Sequence, residues 1–219
     1  AHPLQFFDSI DSTNIRAKLE AEQGAESGLL VVSDMQSAGR GRRGRGWESP
    51  AGTNIYYTLM LKPDFSSDCA PMLTLVMALA VAKGIRQTLR RDSEEAAAKV
   101  GIKWPNDIVV DGKKVCGILT EMSMEQGYIQ HIVIGVGINV RKQEFPEEIR
   151  DRAAAIDEQC GFRISRSQLI ADIMEAFEED YEIFLRTHDL KGLRASYAEL
   201  PVNQAREVCV LDPKGEYRG

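Results

Sequence analysis

Strand signals joined by tight turns dominate the middle of the chain and constrain the fold most. Thr53 to Lys62 alternates aromatic, β-branched and polar residues and stops at Pro63. Gly101 to Met122 reads as strand, turn, strand, with Asp111-Gly112 as the turn between Ile108-Val109-Val110 and Val115 to Leu119. Gln126-Gly127 is a second turn, and the Ile/Val-rich run Tyr128 to Val140 follows it. Tight turns of this kind make consecutive strands antiparallel neighbours. Leu29 to Asp34 is a further short apolar run of strand length.

Helical patterns flank this region. Asp8 to Asn14 is a cluster of cap and turn residues, and a helix from Ile15 to about Gln23 follows, stopped by Gly24. Pro71 opens the most apolar helix, which runs to about Arg91. Asp92 to Lys99 is charged and Ala-rich, and either extends that helix or connects it to the next strand. Leu169, Ile173, Phe177, Tyr181 and Phe184 are spaced by three or four, which predicts an amphipathic helix over Ser165 to Leu185. A shorter helix, Asp189 to Leu200, ends at Pro201. Glu207 to Leu211 reads as a last strand, with Asp212 to Gly215 a turn. The expected class is α+β: a mixed or mostly antiparallel sheet with helices packed on one face. Residues after about Pro201 read as the start of a small β domain, cut short at Gly219.

Charge and composition exclude several functions. With 27 Lys+Arg against 33 Asp+Glu, the formal net charge of -6 argues against a surface built throughout for nucleic acid. The longest apolar candidate for a membrane span, Ala70 to Ile85, is interrupted by Pro71, Lys83 and Gly84 and reads as a buried helix. Ala1-His2-Pro3 carries no basic or apolar export signal. Cys69, Cys116, Cys160 and Cys209 are isolated, as reduced thiols are, so a cytoplasmic protein is expected.

Three segments carry the chemistry. Gly39-Arg40-Gly41-Arg42-Arg43-Gly44-Arg45-Gly46 formally matches a dinucleotide fingerprint, but that motif needs a helix directly after it, and here Trp47, Pro50, Gly52 and a strand follow. The other reading is a mobile loop whose guanidinium forks hold phosphate or carboxylate and which orders when an anion binds. An RNA-binding Gly/Arg tract and a merely solvated charge run compete with it. Lys103-Trp104-Pro105-Asn106-Asp107 is either a strand end with a turn, or a lysine held in a partly enclosed place to meet developing negative charge. Ile134-Gly135-Val136-Gly137-Ile138-Asn139 leaves one strand face without side chains, open to a ligand or another backbone, or else marks a bulge in a buried strand. His2, His131 and His188 show no metal spacing, and Cys116 lies in an apolar strand and reads as core.

With these segments in order, the chain resembles the biotin protein ligases. The matching residues are Asp11-Ser12-Thr13-Asn14, Gln36 to Arg45, Lys103-Trp104-Pro105-Asn106-Asp107, Gly117-Ile118-Leu119 with Glu121, and Gly135-Val136-Gly137-Ile138-Asn139. The resemblance implies a catalytic domain over 1–200, akin to class II aminoacyl-tRNA synthetases. It also implies that residues 201–219 begin a C-terminal SH3-like β domain. The family's N-terminal helix-turn-helix is not expected, since the Ser-Thr-Asn motif comes so early; no DNA partner is expected, and a homodimer is left open.

The implied reaction joins biotin to ATP as biotinyl-5′-AMP, then to a lysine of a biotin carboxyl carrier protein, with Mg2+ as cofactor. By the same resemblance Ser12, Thr13, Asn14 and Gln36 line the biotin head group, and Arg40, Gly41 and Arg42 close over biotin and phosphate. Lys103 meets the carboxylate and the α-phosphate, so that Lys103 and Arg42 are the catalytic pair. Arg42, Arg43, Trp47, Lys103 and Asn139 face ATP, and Asp107 touches magnesium. The alternatives are a lipoate or octanoate ligase of the same superfamily and a nucleic-acid-binding module using the arginine loop.

Overall fold

The computed structural model describes residues 3–203, 207, 209–212 and 215–218. Its centre is a seven-stranded sheet. The strands are β1 (Leu4–Phe7), β2 (Leu29–Ser33), β3 (Ile55–Leu61), β4 (Val100–Lys103), β5 (Asp107–Val110), β6 (Lys113–Glu125) and β7 (Tyr128–Ile138). Their order across the sheet is β1-β2-β3-β7-β6-β5-β4. Only β1 and β2 run parallel; the other pairs are antiparallel, so the sheet is mixed as expected. β1 is not legible in the sequence. It is four residues long at a sheet edge, with Leu4 and Phe6 exposed, too short to show a period.

Alternation along the central strands divides two cores. Tyr57, Leu59 and Leu61 of β3 and Ile132, Ile134 and Val136 of β7 face the larger core. The helices α2 (Met72–Arg90) and α5 (Arg166–Thr187) pack there. Met60 and Val133 point the other way, with Leu29 and Val31, to meet Ala17 and Ala21 of α1 (Thr13–Glu22). The expectation of helices on one face therefore holds for the two long helices and fails for α1. Its apolar stripe is narrow, formed by small alanines, and periodicity alone does not say which side of a sheet it covers.

α2 is apolar nearly all round because it lies between the sheet and α5. The segment Ser67–Arg90 is long and apolar enough by composition to cross a membrane, and here it is mostly buried within the protein. Gly84 sets the helix contact: a Cβ there would stand 2.8 Å from the main-chain N and Cα of Ile173 on α5. Two buried carboxylates on α5 are paired across the same interface. Asp172 accepts from Thr88 at 2.6 Å, from Gln168 at 2.9 Å and from Arg91, and Asp180 pairs with Lys83 at 2.5 Å.

Asp92 to Lys99 is a connection holding a separate short helix, α3 (Glu94–Ala98), capped by Ser93, whose hydroxyl accepts from the Ala96 N–H at 3.1 Å. The shorter elements α4 (Ile156–Cys160) and α6 (Arg194–Ala198) follow. After α6 the chain runs beside β4: Ile102 N–H donates to Leu200 O at 2.8 Å, and Val202 N–H donates to Ile102 O at 3.0 Å. This covers what would be an open edge. β8 (Cys209–Asp212) and β9 (Gly215–Arg218) form a separate antiparallel pair.

Candidate active site

The polar site lies on the α1 side of the sheet. Ser12 caps α1, so Thr13 and Asn14 occupy its first turn, and all three are buried. A helix start presents N–H groups without intrahelical partners. Here the Thr13 N–H donates to Gln36 Oε1 at 2.9 Å, and Thr13 Oγ1 lies 3.0 Å from the same oxygen. Gln36 Nε2 donates to Ser49 Oγ at 2.9 Å, and Ser49 donates to Trp47 O at 2.9 Å. Gln36 is thereby held between α1 and the far end of the arginine loop.

Asn14 explains one of the strand glycines. A Cβ at Gly135 would stand 2.0 Å from Asn14 Oδ1, so the bare face of β7 receives this carboxamide. Asn14 Nδ2 donates to Glu121 Oε2 at 2.8 Å, and Lys18 Nζ donates to Glu121 Oε1 at 2.8 Å. Burial acts to raise the Glu121 pKa, but the hydrogen bonds from Asn14 and Lys18 outweigh it, and the net shift is downward. The carboxylate is ionised at neutral pH.

The glycines of the arginine loop predict mobility, and its backbone forms a closed arch. Gly41 N–H donates to Arg45 O at 2.7 Å, and Trp47 N–H donates to Gly39 O at 2.9 Å. Arg40, Arg42, Arg43 and Arg45 project from the arch and are exposed. Arg42 donates to Asn106 Oδ1 at 2.6 Å, which brings the loop against the Lys103–Asp107 segment. That segment is a tight connection between β4 and β5, with a cis Trp104–Pro105 bond, and Asn106 Nδ2 donates to Ile118 O at 3.2 Å. Trp47 leaves the arch and lays its indole on β6 and β7. A Cβ at Gly137 would meet its Nε1 at 2.4 Å, and one at Gly117 would meet its ring at 2.9 Å. Lys114 Nζ sits 5.4 Å from the ring centroid. Trp47 Nε1 is buried with no partner among the described residues.

Other expected residues are placed differently. Lys103 is exposed at the end of β4, and its neighbour Trp104 is 59% exposed, so neither lies in the enclosed place the sequence suggested. Asp107 pairs with Lys114 at 2.8 Å. Among the described residues no group of three or more His, Cys, Asp or Glu is placed to hold a metal. Asn139 is buried at the end of β7, where its N–H donates to Val115 O at 2.7 Å and its side-chain oxygen accepts from Gln143 at 3.4 Å. Cys116 is fully buried, and burial pushes its thiol far above the ordinary range, so it is no nucleophile. An apolar cavity of about 480 Å³, lined by Leu75, Leu79, Leu190, Leu193, Tyr197 and Pro201 among others, lies on the α2 side and belongs to a different part of the molecule.

The residues brought together here fall within one matched stretch. Residues 6–139, more than half of the chain, match the family model described as the biotin/lipoate A/B protein ligase family. The chain belongs to the biotin/lipoate A/B protein ligase family. Among curated relatives in this family, the bifunctional ligase/repressor BirA of Bacillus subtilis (strain 168) is 40% identical over 200 residues, covering 89% of this chain. The chain spans only 59% of that relative's length. A biotin--[acetyl-CoA-carboxylase] ligase of Paracoccus denitrificans is 40% identical over 130 residues, 59% of this chain and 51% of its own length. The fold is that of a solved family structure, the biotin protein ligase from Aquifex aeolicus in complex with biotin and ATP. That chain aligns with a TM-score of 0.80 at 28% identity, covering 99% of this chain and 85% of the other.

Among the residues brought together here, sequence reasoning missed Thr58, Ser49, Lys114 and the contacts of Glu121. Thr58 is fully buried, 2.6 Å from Asn14 Oδ1 and 2.9 Å from Thr13 Oγ1. Its signal was available: it sits between Tyr57 and Leu59 on the opposite phase of β3, where an apolar residue would pack on α1.

Proposed function

We propose that this chain activates biotin with ATP as biotinyl-5′-AMP and transfers the biotinyl group to a lysine of a biotin carboxyl carrier protein. The observation that carries the reading is the stitching of three distant motifs into one site. Hydrogen bonds run from Thr13 to Gln36, from Gln36 to Ser49 beside Trp47, and from Arg42 to Asn106. The names of the relatives and of the aligned Aquifex structure support biotin and ATP as the substrates.

In the first step a biotin carboxylate oxygen bonds to the α-phosphorus, and the bond to the β-phosphate bridge breaks to release pyrophosphate. In the second, a carrier lysine amine attacks the acyl carbon, an amide forms, AMP leaves, and the amine proton passes to solvent. Both steps redistribute negative charge at one phosphate, so fixed cations and N–H donors stabilise them best. Ser12, Thr13, Asn14 and Gln36 are proposed to bind the head group, and Arg40, Gly41 and Arg42 to cover the carboxylate and phosphate. Lys103 is proposed to reach the α-phosphate from the β4 end, with Arg43, Trp47 and Asn139 on the nucleotide side.

Magnesium would supply charge neutralisation of the ATP triphosphate, and Asp107 is the carboxylate proposed to touch it. Asp107 is paired with Lys114 through Oδ1. Residues 1–200 are proposed as the catalytic unit and 201–219 as part of a small SH3-like β domain.

The test is biotin-dependent pyrophosphate release from Mg-ATP by the purified chain, run in parallel with lipoate and octanoate. Release with biotin alone is the expected result. Release only with the fatty acids would move the assignment to the other branch of the family, and none with any acid would end the ligase reading.

A further inference from the structure

We propose that Glu121 is a positioning residue which, through Asn14 and Thr58, sets the direction of a buried proton chain and makes the Thr13–Gln36 end of it an acceptor for a ligand N–H. The proposal rests on the biotin reading, because the ureido ring is the part of that substrate that carries N–H donors.

Three oxygen–oxygen contacts form the chain. Asn14 Oδ1 lies 2.6 Å from Thr58 Oγ1, Thr58 Oγ1 lies 2.9 Å from Thr13 Oγ1, and Thr13 Oγ1 lies 3.0 Å from Gln36 Oε1. Both terminal oxygens are amide carbonyls, and each amide is oriented by a group that has only one hydrogen-bonding role. An ionised carboxylate only accepts, so Glu121 Oε2, at 2.8 Å, draws the Asn14 NH2 and turns Oδ1 toward Thr58. A backbone N–H only donates, so Thr13 N–H, at 2.9 Å, holds Gln36 Oε1. The three contacts must then share the two hydroxyl protons of Thr58 and Thr13. One contact lacks a proton, and the chain is short of a donor.

Water does not make up the shortage at the inner end. Thr58 is wholly buried and Thr13 and Asn14 are buried, while Gln36 is only half-buried. A donor enters at the Thr13–Gln36 end. An N–H placed there takes the contact with Gln36 Oε1, which frees the Thr13 proton for Thr58 and the Thr58 proton for Asn14. Gln36 Oε1 then accepts from the Thr13 N–H and from the ligand on its two lone pairs, and both threonine protons point inward, to Thr58 and to Asn14. A ligand presenting oxygen at that point adds a fourth acceptor to a site already poor in donors.

The two carboxylate oxygens of Glu121 have separate partners, and this makes the chain reversible by one atom. Oε1 accepts from Lys18 and Oε2 from Asn14, each at 2.8 Å. In Glu121→Gln the amide oxygen stays with Lys18, and the amide nitrogen faces Asn14. Asn14 turns over and donates to Thr58, Thr58 donates to Thr13, and Thr13 donates to Gln36. All three contacts are then satisfied without a ligand.

The experiment is isothermal titration of the intact chain with biotin and with a biotin analogue in which a ureido N–H is replaced by oxygen. It is repeated for Glu121→Gln, Glu121→Asp and Thr58→Val, with circular dichroism as the check on folding. The unmodified chain should prefer biotin over the analogue by about tenfold or more, the scale of one hydrogen bond in a buried site. Glu121→Gln and Thr58→Val should lose most of that preference, and Glu121→Asp, which keeps the carboxylate, should retain it. Equal loss of affinity for the two ligands in Glu121→Gln, with biotin binding by the unmodified chain intact, overturns this inference alone. Absence of biotin binding by the unmodified chain overturns the proposed function and this inference with it.

Discussion

The indole of Trp47 lies against the strand at Gly137, where a Cβ would stand 2.4 Å from Nε1. The residue that ends the arginine arch is thus seated by a missing side chain on a strand far along the sequence. The atoms that Cβ would meet belong to the indole itself, so an added methyl must displace the ring. Gly137→Ala should keep the fold and raise the KM for ATP about tenfold, on the scale of a displaced aromatic contact. Biotin affinity should change less. Tryptophan fluorescence together with steady-state kinetics checks it, and an unchanged KM for ATP would remove Trp47 from the nucleotide side.

Lys103 stands exposed at the end of β4, and Arg42 reaches Asn106 in the following turn at 2.6 Å. Lys103→Ala should bind biotin within about tenfold of the unmodified chain and lose roughly 10²-fold in adenylation rate, the scale for one lost donor to developing charge. Arg42→Ala should slow adenylation and also speed escape of preformed biotinyl-AMP. Arg42→Lys should not restore it, because an ammonium lacks the planar fork. Single-turnover adenylation and adenylate release measure both. Parallel losses of binding and rate in Lys103→Ala would make its role uniform binding.

Gly84 lies where α2 meets α5, and a Cβ there would stand 2.5 Å from Ile173 Cγ1 and 2.8 Å from the Ile173 backbone. Alanine favours a helix more than glycine does, so propensity alone predicts stabilisation by about 1 kcal/mol. Overpacking works against it by about 1–3 kcal/mol. The close backbone contact places the cost at the upper end, and Gly84→Ala should lower stability. Urea denaturation decides the sign, and a stabilised variant would mean the helices separate freely.

His131 is buried in β7, with both ring nitrogens unpartnered among the described residues. Burial lowers its pKa; nearby Glu22 opposes this, and Lys18 and Lys62 add to it. The native state therefore prefers neutral imidazole. Its contribution to stability is fully present above the unfolded value of about 6.5. It declines as pH falls from there toward the lower native value, because the unfolded chain takes up the proton first. His131→Leu should flatten the stability profile between about pH 7 and 5. Denaturation midpoints for both proteins across that range test it, and identical slopes would place the proton elsewhere.

Local rules account for what the sequence determined by itself. The turn at Asp111-Gly112 and the alternation of Thr53 to Lys62 depend on residues a few positions apart, and the hairpin β5–β6 and the strand β3 follow from them. The apolar spacing of α5 is likewise a property of one segment. The motif residues Ser12, Thr13, Gln36, Arg42 and Asn106 could be named in advance because their types and order form a pattern. What the tertiary structure decided are relations between segments. α1 lies on the far side of the sheet from α2 because Ala17 and Ala21 meet Met60 and Val133. Thr58 and Glu121 join the site because β3 and β6 flank β7 in the sheet and present these residues on the α1 face. Lys103 is exposed because β4 ends there and turns into β5. Side-chain direction across a sheet depends on register and on which element packs above it, and neither is written in any short stretch of chain.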